Sequence, residues 1–361
     1  MQGERVRERQ RHVEIDPWYE DLLKRDRRNI ERLETGEVVV RAGDVPWHQN
    51  RHARVKYLLH PMRPETAVSD TMIFVHEITK HSGMHRHQGG LALFVLDGRG
   101  HTVVNGEAHD WEAGDLILLP IAAGGLDHQH FNDGGSTASW LALIFWPWLD
   151  LLSNQMVQVE VSPQWLERQA EADGETLADG PLAKPRGEIR MPEGLPRPHD
   201  GTYLDRLFAR RDAYRAQAAA AEWMLHGRDL PWEINLQGKM RWYLHPDKTD
   251  ASIRTLLVYL QEIPPGSRSG RQLHPGGLIH YVLRGEGYTM LDGQRHDWRA
   301  GDCVALPRRV FGVDYQHFNA DPRRPAQLLC MCPNLFEVFG PDLGARFEQL
   351  EAAPEYGAAD R

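Results

Sequence analysis

Short runs rich in Val, Ile, Leu, Phe and Tyr alternate along this chain with polar stretches and with Gly, Asn-Gly or Asp-Gly punctuation, the pattern of strands joined by tight turns. GHTVVNGEAHDWEAGDLILLP, from Gly100, and GYTMLDGQRHDWRAGDCVALP, from Gly287, read as strands and hairpins. Asn105-Gly106 and Asp292-Gly293 supply the positive-φ positions that a type I′ turn demands. Both segments belong to an internal repeat. GMHRHQGGLALFVLDGRG from Gly83 matches GRQLHPGGLIHYVLRGEG from Gly270 at an offset of 187 residues, and PWHQNRHARVKYLLHP from Pro46 matches PWEINLQGKMRWYLHP from Pro231 at 185. The two-residue change falls in the turn between Ile78 and Gly83, where a β-domain tolerates insertion best. A small β-barrel or sandwich, made twice, is the expected fold.

Two segments switch to helical spacing. Asp16-Pro17 is an N-cap followed by a first-turn proline, with a helix running on to Gly36. A second, Ala-rich helix is expected from Tyr203 to Gly227, with Leu204, Leu207 and Phe208 on one side. The intervening Pro-, Gly- and charge-rich stretch reads as an extended linker. The expected organisation is a helical N-terminal extension over 1–45, a first barrel over 46–150, a linker with a helix over 151–230, a second barrel over 231–340 and a tail over 341–361.

With 361 residues, 41% of them hydrophobic and 26% charged, the chain has enough apolar surface for a core and is not a disordered one. The net charge of −9, with no isolated basic block, gives no electrostatic footprint for nucleic acid. The longest apolar stretch, residues 140–149, is broken by Pro147 and falls far short of the roughly 20 residues that span a bilayer. A charged N-terminus without an apolar core predicts no secretion. Cys303, Cys330 and Cys332, an odd number without a CxxC pair, read as reduced core thiols on strands and point to the cytoplasm.

The chemistry lies in the histidines. His85 and His87 stand two apart on an expected strand, so both rings point to one face, and His128 comes from a later strand. Three such imidazoles can bind a divalent first-row metal. His52, His76 and the other scattered histidines have no motif context and read as background, while His109-Asp110-Trp111, repeated as His296-Asp297-Trp298, reads as structural.

The motif HRHQGGLALFVLDG, closing on Gly98, together with Gly114 to Pro120 and His128-Gln-His-Phe-Asn132, resembles the two-part signature of the cupin superfamily. The resemblance implies two tandem cupin barrels, double-stranded β-helices of jelly-roll type. It selects His128 over His130 as the third ligand beside His85 and His87, and it puts Leu91 where the family's glutamate stands. The three-histidine pattern resembles gentisate 1,2-dioxygenase and its salicylate and hydroxynaphthoate relatives. That resemblance implies Fe(II), O₂ and a hydroxylated aromatic substrate, with His130 as a candidate proton-transfer residue and a homo-oligomeric assembly. Apolar runs such as WLALIFW, on barrels too small to bury both faces alone, point the same way on assembly.

Leu93 occupies the place of an arginine thought to meet the substrate carboxylate in those relatives, so Leu91 and Leu93 predict an apolar pocket wall. The second repeat has Gln272 and Tyr315 in place of His85 and His128 and keeps only His274, so it is not expected to hold the same metal. A different metal-dependent cupin reaction, such as diketone or flavonol cleavage, isomerisation or hydrolysis, is the alternative. A non-catalytic bicupin that binds a small molecule is the third reading.

Overall fold

The computed structural model describes residues 16–171 and 201–359. Most of the expected linker, residues 172–200, lies outside the described residues. The fold is mainly β. Each repeat builds a barrel from one seven-stranded and one five-stranded antiparallel sheet. In the first barrel the large sheet runs Met224–Leu225, Leu116–Leu119, Leu91–Asp97, Ala138–Phe145, Thr71–Ile78, Arg54–Leu59, His48–Gln49. The small sheet runs Val157–Gln158, His85–His87, Leu126–Asn132, Arg99–Val104, Glu107–Glu112. The second barrel repeats this order. The hairpin turns form as expected, Asn105 and Asp292 both at φ 48° with Gly106 and Gly293 behind them at 91° and 80°.

Strand alternation sorts two cores. Leu91, Leu93 and Val95 face the interior of the first barrel with Trp140, Ala142 and Ile144. Ala92, Phe94, Leu141, Leu143 and Phe145 face outward into a core shared with Tyr243, Val258 and Leu329 of the second barrel. This corrects one inference drawn from WLALIFW: its outer face is covered by the other half of the same chain, so the run needs no second copy to bury it.

Short strands dock the two halves reciprocally. Val39–Val40 pairs with Cys303–Leu306 at the edge of the second barrel, and Met224–Leu225, one repeat later, pairs with Leu116–Leu119 at the edge of the first. A buried aspartate anchors each. Asp302 accepts from Ala42 N at 3.0 Å and from Arg41 at 3.0 Å. Asp115 accepts from Gly227 N at 3.0 Å and pairs with His226 at 2.9 Å. The Gly-Asp turn of each repeat is therefore also the docking point for the segment that precedes the other.

The first helix, Pro17–Thr35, starts where expected, with Asp16 accepting from Trp18 N at 2.9 Å. The second, Tyr203–Ala220, carries a capping box between Thr202 and Asp205 but stops short of Gly227. Extension of Met224 and Leu225 as a strand ends it, because pairing to Leu116–Leu119 satisfies their backbone instead. Beyond Pro341 the tail forms the strand Glu348–Glu351 against Arg271–His274 before its short helix, Pro354–Ala359. The three cysteines are buried and free on strands. No helix among the described residues is long and apolar enough to cross a membrane.

Candidate metal centre

On the strand His85–His87 the two histidine rings turn inward, while Arg86 between them faces out and holds Asp127 through two contacts of 2.7 and 2.6 Å. The neighbouring strand sets His128 directly opposite His85, and Leu126 opposite His87. The strand then turns at Gly89, whose φ of 80° and close approach to Pro120 O leave no room for a Cβ. All three histidines are buried, and each offers a ring nitrogen within 4.8 Å of the other two.

Hydrogen bonds hold each of the three rings, and those of His128 leave a lone pair ready for an ion. His128 Nδ1 lies 3.1 Å from Leu126 O and donates to it, leaving the Nε2 lone pair available. Gly83 O, which can only accept, lies 2.8 Å from His52 Nδ1, so that nitrogen carries the proton, and His85 Nδ1, also 2.8 Å away, is its second acceptor. His87 Nδ1 accepts from Gly89 N–H at 3.0 Å, so the metal-free ring carries its proton on Nε2, and binding an ion there as a neutral imidazole moves that proton to Nδ1 and gives up the Gly89 contact. Burial, reinforced by His128, holds His85 and His87 well below the usual imidazole range. Burial brings His128 down to about 4, against the opposing pull of Leu126 O. Neutral imidazoles are the form that binds a metal.

The triad opens onto a cavity of about 420 Å³. Leu91 and Leu93 form part of its wall with Met72, Phe74 and Trp140, an apolar surface suited to an aromatic ring. Arg51, in the loop before Arg54–Leu59, is also among the lining residues. His130 also lines the cavity. Its Nδ1 is 2.8 Å from Thr102 Oγ1, which accepts from Trp111 Nε1 at 3.0 Å. His317, Thr289 and Trp298 make the same chain in the second barrel at 2.7 and 3.0 Å, so these partners of His130 belong to the fold.

Two further histidines, set aside in the sequence for want of a motif, stand in the cavity wall. His52 and His76 are each 7% exposed, with rings 4.9 Å apart. His76 Nε2 has no hydrogen-bond partner among the described residues. A signal for both was present in the repeat: their counterparts are Gln237 and Gln261, the same change that turns His85 into Gln272. The second barrel has exchanged these histidines as a set and kept His274 and His317. In it Tyr315 Oη donates to Gln272 Oε1 at 3.0 Å, and among the described residues no second trio of such ligands lies as close as the first.

The cupin domain profile matches residues 74–144 and 259–332. The chain is similar to a 5-aminosalicylate 1,2-dioxygenase from a Comamonas species, 23% identical over 240 residues that cover 66% of this chain and 58% of that enzyme. It thus spans less than two thirds of that relative's length. A gentisate 1,2-dioxygenase from a Haloferax species is 24% identical over 262 residues, 71% of this chain and 68% of the relative. Among solved structures, the salicylate 1,2-dioxygenase of Pseudoaminobacter salicylatoxidans with gentisate superposes at a TM-score of 0.53. That match covers 94% of this chain and 96% of the other at 15% identity, a likeness of fold.

Proposed function

Because this chain carries two cupin domains in tandem and keeps three facing histidines only in the first, we propose that the first barrel is an Fe(II)-dependent dioxygenase site that cleaves a hydroxylated aromatic ring with O₂. The carrying observation is the trio His85, His87 and His128 opening onto an apolar cavity whose wall also holds Arg51. The named activities of the similar proteins, on 5-aminosalicylate and gentisate, support the reading. Iron(II) held by three neutral imidazoles keeps its full double charge, and it would supply the redox capacity and the open positions that an anionic oxygen-bearing substrate and O₂ require.

The chain's own residues supply the rest. Leu91, Leu93 and Trp140 pack on the ring and exclude water. His130, fixed through Nδ1 by Thr102, offers Nε2 to hold or move a proton at a substrate hydroxyl. Thr102 and Trp111 thereby orient the ring without touching the substrate.

The test is metal analysis of protein purified without oxygen, followed by oxygen uptake with hydroxylated aromatics that carry or lack a carboxylate. One iron per chain is expected, lost in His85→Ala, with uptake on the salicylate- or gentisate-like acids. Stoichiometric metal with no oxygen uptake on any of the panel would turn the reading toward a metal-dependent cupin of other chemistry. Absence of bound metal would defeat it.

A further inference from the structure

The second barrel keeps an open interior although it has lost the ligands of the first. Its cavity, about 850 Å³, is lined by Leu257, Tyr259, Gln272, His274 and Leu278 at the places where Met72, Phe74, His85, His87 and Leu91 line the other. Inward positions of a small barrel are ordinarily filled by side chains, so a barrel kept only for packing has no cause to hold this volume. The wall is aromatic. Trp242 and Tyr259 stand 4.8 Å apart, and Phe347, brought by the tail, meets His274 at 5.5 Å.

Most of the polar groups are tied to one another or to neighbouring residues. Gln272 accepts from Tyr315. His274 Nδ1 accepts from Gly276 N–H at 3.0 Å, so its proton sits on Nε2, and that N–H meets no acceptor among the described residues. His274 is 5% exposed, and burial, its largest cause, brings its pKa down to about 3 and keeps it neutral. Lysine and arginine are absent from the lining among the described residues. Its charged members are the carboxylates Asp247 and Glu337, the second already paired with Arg254 at 3.1 Å. Arg308 lies close enough to add to the lowering of His274, but it is already paired with Asp70, so an anionic ligand would be buried there without a free cation, which is costly.

We propose that the second barrel is a metal-free binding site for an uncharged aromatic molecule, packed against Trp242, Tyr259 and Phe347 and held by a hydrogen bond from His274 Nε2 to an oxygen of the ligand. The site differs from the first in charge and in chemistry. It stands whether or not the first barrel is a dioxygenase.

The full-length protein is titrated with a naphthol and, separately, with the matching naphthoate, and crystals are soaked with a bromonaphthol so that anomalous scattering locates the bromine. Bromine density in the second barrel is expected, with naphthoate binding there at least tenfold more weakly. His274→Leu should weaken naphthol at this site about tenfold, the worth of one buried hydrogen bond. Leu278→Trp should fill the cavity and abolish binding there, with the melting temperature and the metal content of the first barrel as controls for folding. Bromine found only in the first barrel, naphthoate binding in the second as tightly as naphthol, or naphthol affinity unchanged in Leu278→Trp would each overturn the proposal.

Discussion

His52 donates to His85 across 2.8 Å, and Gln237 stands in its place in the barrel without the triad. Since Gly83 O fixes the proton on His52 Nδ1, His85 Nδ1 accepts from it, so His52 orients a proposed metal ligand from behind. Removing such a partner ordinarily costs about 10- to 100-fold in metal affinity. His52→Ala should lower iron(II) affinity on that scale, His52→Gln should restore part of it through its amide N–H, and Tyr315→Phe should leave it unchanged. A direct metal titration of the three variants measures this, and equal affinities would remove His52 from the site. The trio His85, His87 and His128 was legible in the sequence because HxH and its distant partner stand at fixed spacings. His52, His76 and Arg51 were not, because they come from other strands and loops and reach the cavity only once the sheets close.

At the scale of elements, the Asn-Gly and Asp-Gly hairpins and both helix starts could be read from local rules, since each is set by residues within a few positions of one another. The docking strands could not. Val39–Val40 and Met224–Leu225 are two residues long, too short to show any period, and their partners lie in the other half of the chain. Asp115 is where this docking is most concentrated. It is 1% exposed and accepts from Glu112 N, Gly227 N and His226. Asp115→Ala strands these donors and should destabilise the protein by about 3 kcal/mol, as loss of one partner from a buried pair does. Asp115→Asn should cost less because one oxygen remains. Urea unfolding of both variants is the measurement, and a loss under about 1 kcal/mol for the alanine would show that the segment docks by apolar packing alone.

For the whole molecule, buried histidines tie stability to pH. His274 and His317 are held at about 3 by burial, against 6.5 for a free imidazole. Above about 6.5 neither the folded nor the unfolded state is charged at these positions, and they contribute nothing. As pH falls below that, the unfolded chain takes up protons that the folded one refuses, so stability drops by about 1.4 kcal/mol per pH unit for each histidine until about pH 3. The urea midpoint should therefore fall steadily from pH 7 to pH 5, and a flat profile would mean that these rings are solvated. The reciprocal docking has a further consequence, for synthesis. As the chain leaves the ribosome, the first barrel completes its sequence long before Met224–Leu225 arrives to cover the edge at Leu116–Leu119. The edge for Val39–Val40 appears later still, at Cys303–Leu306. Until then each half offers unpaired backbone to any neighbouring strand, including one from another nascent chain, so the time spent waiting for the second half is when this protein is most exposed to misassembly.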